Sequence, residues 1–128
     1  MKHELLLGKV SNTAAGTLDF DGEWRNQLGS RMLLTVSGAS LRGEYYSAVS
    51  GGGSPIRGDL TGFVNGDLIS FVVNWPSAAV TAWVGQVIND NGNELIETLW
   101  QMTTNVPDNQ EPTGMWQSVF AGTDRFHR

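Results

Sequence analysis

Turn signals recur about every ten residues along this chain, and the segments between them are rich in β-branched and aromatic residues. The clearest signal is Asn65-Gly66, because both residues tolerate the positive φ that tight hairpin turns require. The run Asn-Asp-Asn-Gly-Asn at 89–93 is a slightly longer version of the same signal. No convincing amphipathic helix competes with this pattern. Short strands at regular spacing predict an all-β fold of successive antiparallel hairpins.

We predict eight strands, at residues 23–28, 32–37, 40–49, 55–63, 67–75, 81–88, 94–103 and 113–121. An up-and-down meander of eight strands can close into a barrel, which removes exposed edges and leaves an interior wide enough for one small ligand. The predicted fold class is therefore all-β, an eight-stranded antiparallel up-and-down β-barrel.

The chain has 128 residues, which fits one domain with a core of its own. Residues 1–15 are predicted to be a loosely attached N-terminal extension, ordered by a partner subunit if at all, and residues 16–128 to be the barrel. The apolar patch near the N-terminus is too short and too closely flanked by charge for the apolar core of a signal peptide. No export signal is therefore visible.

Composition excludes several classes of function. Acidic residues outnumber basic ones by 13 to 8, and the basic residues are scattered, which argues against a nucleic-acid partner. There is no cysteine, so disulfides, thiolate zinc sites and thiol catalysis are excluded. The longest apolar run, at 68–73, is far too short to span a membrane. We predict no membrane partner and no metal site.

Two segments place polar side chains where the core of a barrel would ordinarily be aliphatic. Alternation sends Tyr45, Ser47 and Val49 to one face of a strand. Asn26, Leu28 and Ser30 share a face if that stretch is also extended. Burying such groups unpaired would cost roughly 1–3 kcal/mol each. The pattern therefore indicates a pocket that a polar ligand completes, with the Gly-rich segment 50–54 as a flexible loop at its mouth.

Five segments resemble the avidin and streptavidin family, in its bacterial type, in both order and approximate spacing. They are GEWRNQLGS at 22–30, GEYYSAV at 43–49, TAWVGQ at 81–86, TLW at 98–100 and GTDRF at 122–126. The resemblance implies an eight-stranded barrel that binds and sequesters biotin, without enzymatic activity and without a cofactor. A related alternative is an avidin-like module that binds a biotinylated protein or another cyclic urea.

The resemblance also implies roles for individual residues. Asn26, Ser30 and Tyr45 match donors to the ureido oxygen of biotin, and Ser47 and Asp124 match acceptors for its two N–H groups. The hydroxyl of Thr81 is expected at the thioether sulfur. The remaining contacts form an apolar box and its rim: Trp75, Trp83, Trp100, Leu28, Val49, Met102 and, in the Gly-rich loop, Gly51. Trp24 lies outside this set and is expected to pack at the end of the barrel.

Trp116 matches a tryptophan that, in tetrameric relatives, covers the biotin of a neighbouring subunit. Together with the absence of cysteine, it favours a homotetramer over the dimeric relatives that carry a disulfide. Ala79 departs from the family, because streptavidin has a serine there that binds the ligand's carboxylate. Ser77 or backbone N–H groups of the Gly-rich loop would have to compensate.

Two further questions stay open at this stage. An enzyme would need Asp124 paired with Glu44 or Glu97, yet alternation turns both glutamates outward, so we predict a binding protein. The resemblance implies a secreted or periplasmic protein, whereas the lack of a visible signal peptide leaves a cytoplasmic location open.

Overall fold

The computed structural model describes residues 2–10, 18–48, 53–111 and 119–128. Its strands are β1 (Gly22–Asn26), β2 (Arg31–Ser37), β3 (Ser40–Ser47), β4 (Ile56–Asn65), β5 (Leu68–Asn74), β6 (Ala79–Asp90), β7 (Asn93–Thr104) and β8 (Val119–His127). Neighbouring strands pair antiparallel in chain order, and β1 pairs with β8 to close the barrel. The predicted fold class is confirmed.

The last strand ends later than predicted. We expected a strand at 113–121, but β8 runs over Val119–His127, and residues 112–118 lie outside the described part of the chain. The Gly-Thr-Asp sequence at 122–124 has the composition of a turn. Pairing with β7 nevertheless keeps it extended, since Gly122 lies opposite Trp100 and Asp124 opposite Thr98. Tertiary pairing here overrides local preference.

The turn predicted at 89–93 is tighter than expected. β6 and β7 extend to Asp90 and Asn93, so that Asn91 and Gly92 alone connect them. Both residues have positive φ, 53° and 87°, as a two-residue type I′ hairpin requires. The hairpin after Asn65 is confirmed, with Gly66 at φ 59°.

Two short helical segments were not predicted. The helix α1 (His3–Leu7) has no buried residue and no side-chain cap, and a 3₁₀ turn spans Asp108–Gln110. The division into an extension at 1–15 and a barrel at 16–128 stays a prediction, because residues 11–17 are outside the described ranges. None of the helices described is long and apolar enough to cross a bilayer.

Alternate residues of each strand point into the barrel and form its core. The buried apolar side chains are Phe20, Trp24, Met32, Leu34, Leu41, Tyr45, Leu60, Ile69, Phe71, Val73, Trp83, Ile96 and Phe126. At the closed end, the indole Nε1 of Trp24 donates to the Phe20 carbonyl at 2.9 Å. The Arg128 guanidinium lies 4.2 Å above the same indole and donates to the carbonyls of Asp19 and Asp21. Trp24 thus packs at the barrel end, and the opposite end stays open.

Inward-facing glycines allow the strands to curve tightly around this core. A Cβ on Gly43 would lie 1.9 Å from the Leu33 carbonyl oxygen, and one on Gly62 would lie 2.0 Å from that of Ser70. Both obstacles are backbone atoms of a neighbouring strand, which cannot move aside. Glycine in a strand interior often marks such a bend in a barrel.

We expect Gly43→Ala to lower the free energy of unfolding by about 1–3 kcal/mol, because the added methyl must push β2 and β3 apart. Urea unfolding measures the change. Gly8→Ala is the matched control, since a Cβ there meets nothing closer than 3.8 Å. Equal stability of the two variants would contradict the proposed steric requirement at Gly43.

Candidate ligand-binding site

The open end of the barrel contains a pocket of about 430 Å³. Its lining residues are Asn26, Leu28, Ser30, Tyr45, Ser47, Ala48, Trp75, Thr81, Trp83, Trp100, Met102 and Asp124. This volume suits a small organic molecule.

The Asn26 amide is oriented by the turn that follows β1. Its Oδ1 accepts the backbone N–H groups of Leu28 at 3.0 Å and Ser30 at 2.9 Å. The Nδ2 group therefore faces the interior, where it lies 3.3 Å from the Tyr45 hydroxyl. This network fixes which end of the amide is the donor.

The position of Leu28 differs from the one we predicted for this segment. We predicted a strand over 23–28 with Leu28 on the same face as Asn26 and Ser30, but β1 ends at Asn26 and a turn follows. Asn26 and Ser30 are buried because they flank the turn, whereas Leu28 at its tip is 74% exposed. Leu28 consequently borders the pocket at its rim.

Two hydroxyl groups complete a cluster of donors with Asn26. The Oγ of Ser30 accepts the Ala48 N–H at 2.8 Å, so its own hydrogen remains to be donated. Tyr45 is 2% exposed. Burial, followed by the negative charge of Asp124, raises the pKa of its phenol well above the usual value. Tyr45 is therefore protonated at neutral pH and is available as a donor.

Asp124 is the charged acceptor of the pocket and is 8% exposed. Its Oδ2 accepts the indole N–H of Trp83 at 2.9 Å. Its Oδ1 accepts the Gln27 amide at 2.9 Å and lies 3.5 Å from Asn26 Nδ2. These donors hold the carboxylate in one orientation, with lone pairs left for a ligand.

Gln27 was not predicted as a functional residue. Besides donating to Asp124, its side-chain oxygen accepts the Arg125 backbone N–H at 3.0 Å, which extends the pairing of β1 with β8. No signal in the sequence identifies this role, because the direction of the side chain depends on the turn after Asn26. Ala48, which also lines the pocket, was likewise missed.

Aromatic rings form the floor and walls. Trp83 stacks on both Tyr45 and Phe71, with ring centroids 4.9 Å apart in each pair. Trp75 contacts Tyr45 edge-on at 5.7 Å, and its indole N–H donates to the Thr81 hydroxyl at 2.9 Å.

The other predicted residues divide into three groups. Ser47, Trp100 and Met102 are half-buried and line the pocket. Ala79 begins β6 outside that lining. Val49, Gly51 and Trp116 lie outside the described residues, as do residues 50–52 of the Gly-rich loop.

The two glutamates considered for catalysis face away from the pocket. Glu44 accepts the Tyr46 hydroxyl at 2.6 Å and pairs with Arg57 at 2.7 Å, and these contacts hold its pKa below the usual range. Glu97 pairs with Arg125 on the outer surface. Within the described ranges, no cluster of His, Cys, Asp or Glu could hold a metal ion.

A second cleft, of about 520 Å³, lies at the closed end of the barrel and includes Asp67, Glu94 and Arg128. Its polar side chains are exposed except for the half-buried Asp67, and Arg128 is already bound to the carbonyls of Asp19 and Asp21. The pocket at the open end is better organised for binding, because its donors and acceptor are buried and oriented before a ligand arrives.

Comparison with known proteins places this barrel among relatives. The model of the Avidin family matches residues 14–128. Chicken (Gallus gallus) avidin is 32% identical over 120 residues, which cover 84% of this chain and 76% of that protein. The crystal structure of xenavidin superposes with a TM-score of 0.75 at 29% identity, covering 86% of this chain and 97% of that one. The rhizavidin–biotin complex gives a TM-score of 0.68 at 28% identity, covering 83% and 96%. The chain belongs to the avidin family.

Proposed function

We propose that this protein binds biotin non-covalently in the open end of its barrel and sequesters it, without catalysing a reaction. Membership of the avidin family supports this proposal, as does the likeness to rhizavidin, which has been solved as a complex with biotin. The chemistry of the pocket supports it independently. Biotin carries a cyclic urea, in which one carbonyl oxygen is flanked by two N–H groups.

The observation that carries the proposal is the fixed direction of the donors. Backbone N–H groups occupy the side-chain oxygens of Asn26 and Ser30, so both side chains face the interior as donors, and the Asn26 amide lies 3.3 Å from the hydroxyl of the protonated Tyr45. In our proposal these three groups donate to the ureido oxygen. Aligned donors in a low-dielectric pocket favour a polarised, oxyanion-like carbonyl.

Acceptors on the other side of the ring would complete the recognition of the urea. We assign one ureido N–H to the Asp124 carboxylate and the other to the Ser47 hydroxyl. Thr81 already accepts the indole N–H of Trp75, so its own hydrogen would face the thioether sulfur. Ionised Asp124 can only accept, and it therefore reinforces the polarisation of the urea.

The apolar part of biotin would contact Trp75, Trp83, Trp100 and Met102. Leu28 would contribute at the rim. Val49 and Gly51 remain part of the proposed set on the strength of the family resemblance. Rigid aromatic walls provide contact area at a low cost in conformational entropy.

We further propose a homotetramer. An apolar surface on the outside of the barrel supports self-association: Val72, Val84 and Leu99, on three successive strands, are 39%, 62% and 67% exposed. Exposed apolar patches of this kind commonly mark interfaces between proteins. In the assembled protein, Trp116 would cover the pocket of a neighbouring subunit.

The likeness to avidin also leads us to propose a secreted or periplasmic location. Fractionation of the native source, with the protein recovered outside the cytoplasm, would agree with a role in sequestering free biotin.

Calorimetric titration should give saturable binding at one site per chain. Tryptophan fluorescence should change in parallel, because three indoles line the pocket. The absence of both signals at millimolar biotin would refute the proposed function.

Asp124→Ala should weaken biotin binding by about 2–5 kcal/mol, since a ureido N–H would be buried without an acceptor. Gln27→Ala should weaken it less. The effect of Gln27→Ala should largely vanish in an Asp124→Ala background, because Gln27 is proposed to act by orienting that carboxylate. Asp90→Ala, at the exposed end of β6, is the control that should bind like the parent. Full additivity would mean that Gln27 acts independently of Asp124.

The assembly should sediment as a tetramer. Leu99→Lys should dissociate it at least in part, because a charge would then be buried in an apolar interface. Thr35→Lys places the same charge on the exposed face of β2 and should leave the assembly intact. Trp116→Ala should both loosen the assembly and speed the release of biotin. A parent protein that is monomeric in light scattering would rule out this arrangement.

A further inference from the structure

Gly122 on β8 lies directly against the indole of Trp100. A Cβ on Gly122 would be 2.6 Å from Cζ2, 2.8 Å from Cε2 and 3.0 Å from Nε1 of that ring, and these are its three nearest atoms. The backbone of Gly122 does not require glycine, because its φ is not in the left-handed region. The indole therefore accounts for the absence of a side chain at this position.

Other inward-facing glycines meet different neighbours. A Cβ on Gly85 would lie 2.2 Å from the carbonyl oxygen of Glu97, so its nearest obstacle is the backbone of a neighbouring strand. One on Gly58 would lie 2.4 Å from Cγ1 of Val73, 2.9 Å from Cε3 of Trp75 and 3.0 Å from the Asn74 carbonyl oxygen. At Gly122, by contrast, all three of the nearest atoms belong to one pocket-lining indole.

In the pairing of β7 with β8, the Trp100–Gly122 pair is the next inward-facing pair along the strands after the Thr98–Asp124 pair. Asp124 lies opposite Thr98, Gly122 opposite Trp100, and Phe120 opposite Met102. Successive inward residues of a strand are about 6.8 Å apart. A ligand whose urea lies beside Asp124 would thus have its second ring at the level of Trp100 and its tail near Met102.

We infer that Gly122 determines the width of the pocket at the level of Trp100, and so selects for the second ring of the ligand. This inference rests on the proposed function. The glycine leaves room for the indole close against β8, and a methyl group would displace the ring towards the ligand. Gly122 is thus a specificity-determining residue, although it need not touch the ligand itself.

The test compares two ligands that differ only at this level. Desthiobiotin shares the ureido ring and the carboxylate tail of biotin but lacks the sulfur-containing second ring. We expect Gly122→Ala to weaken binding of biotin roughly tenfold or more, the usual effect of one methylene group in a tight pocket. Binding of the slimmer desthiobiotin should change several-fold less. Isothermal titration, with competition where binding is tight, gives both affinities.

Two glycine controls separate pocket width from stability. Gly8→Ala, where a Cβ would have room, should leave both affinities unchanged. Gly43→Ala should lower the unfolding midpoint without altering the ratio of the two affinities, because the nearest atoms to a Cβ there belong to Leu33 and Leu34, and neither residue lines the pocket. A ratio that shifts equally in Gly43→Ala and Gly122→Ala would overturn the inference.

Replacing the Trp100 indole by a smaller ring provides a second variant, in case Gly122→Ala folds poorly. Trp100→Phe should reduce the preference for biotin over desthiobiotin, and in that background Gly122→Ala should cost biotin much less than it does in the parent. Equal losses for both ligands, or undiminished losses beside Phe, would contradict the role of Gly122. A parent that binds neither ligand would instead refute the proposed function, and the inference with it.

Discussion

The hydrogen-bond cluster of Asp124 is the interaction on which the site depends. Its carboxylate joins Trp83 of β6 to Gln27, just after β1, while Asp124 itself belongs to β8. The cluster lies at the seam where β1 and β8 close the barrel, and the pairing of Gln27 with Arg125 lengthens that seam. The contacts at this seam therefore both close the barrel and orient the Asp124 carboxylate that would accept from the ligand.

The cost of burying polar groups explains the rest of the pocket. Asn26, Ser30 and Tyr45 are almost inaccessible, and each has some of its hydrogen-bonding capacity satisfied by the protein. These groups line one space, so they are directed at a ligand before it binds. Such preorganisation lowers the entropy lost on binding. The stack of Tyr45, Trp83 and Phe71 keeps the floor rigid.

Glycines act at two different levels of this structure. Gly43 and Gly62 face backbone carbonyls and permit the curvature of the barrel, whereas Gly122 faces the indole of Trp100 and affects the pocket. The two uses cannot be told apart in the sequence, since each glycine stands in an ordinary strand. The difference depends on which neighbour the missing Cβ would meet, and that neighbour lies on another strand.

The sequence by itself determined the barrel, the hairpins at Asn65 and Gly92 and the identity of most pocket residues, because strand alternation and turn chemistry are local and the family motifs are spaced along the whole chain. It could not place Leu28 at an exposed turn, extend β8 through Asp124 or identify Gln27 as a partner of that carboxylate. Those outcomes depend on the pairing of β1 with β8, residues about 100 apart in the chain. Only tertiary structure decided them, because the direction of a side chain at the seam follows from the strand it meets and not from its neighbours in sequence.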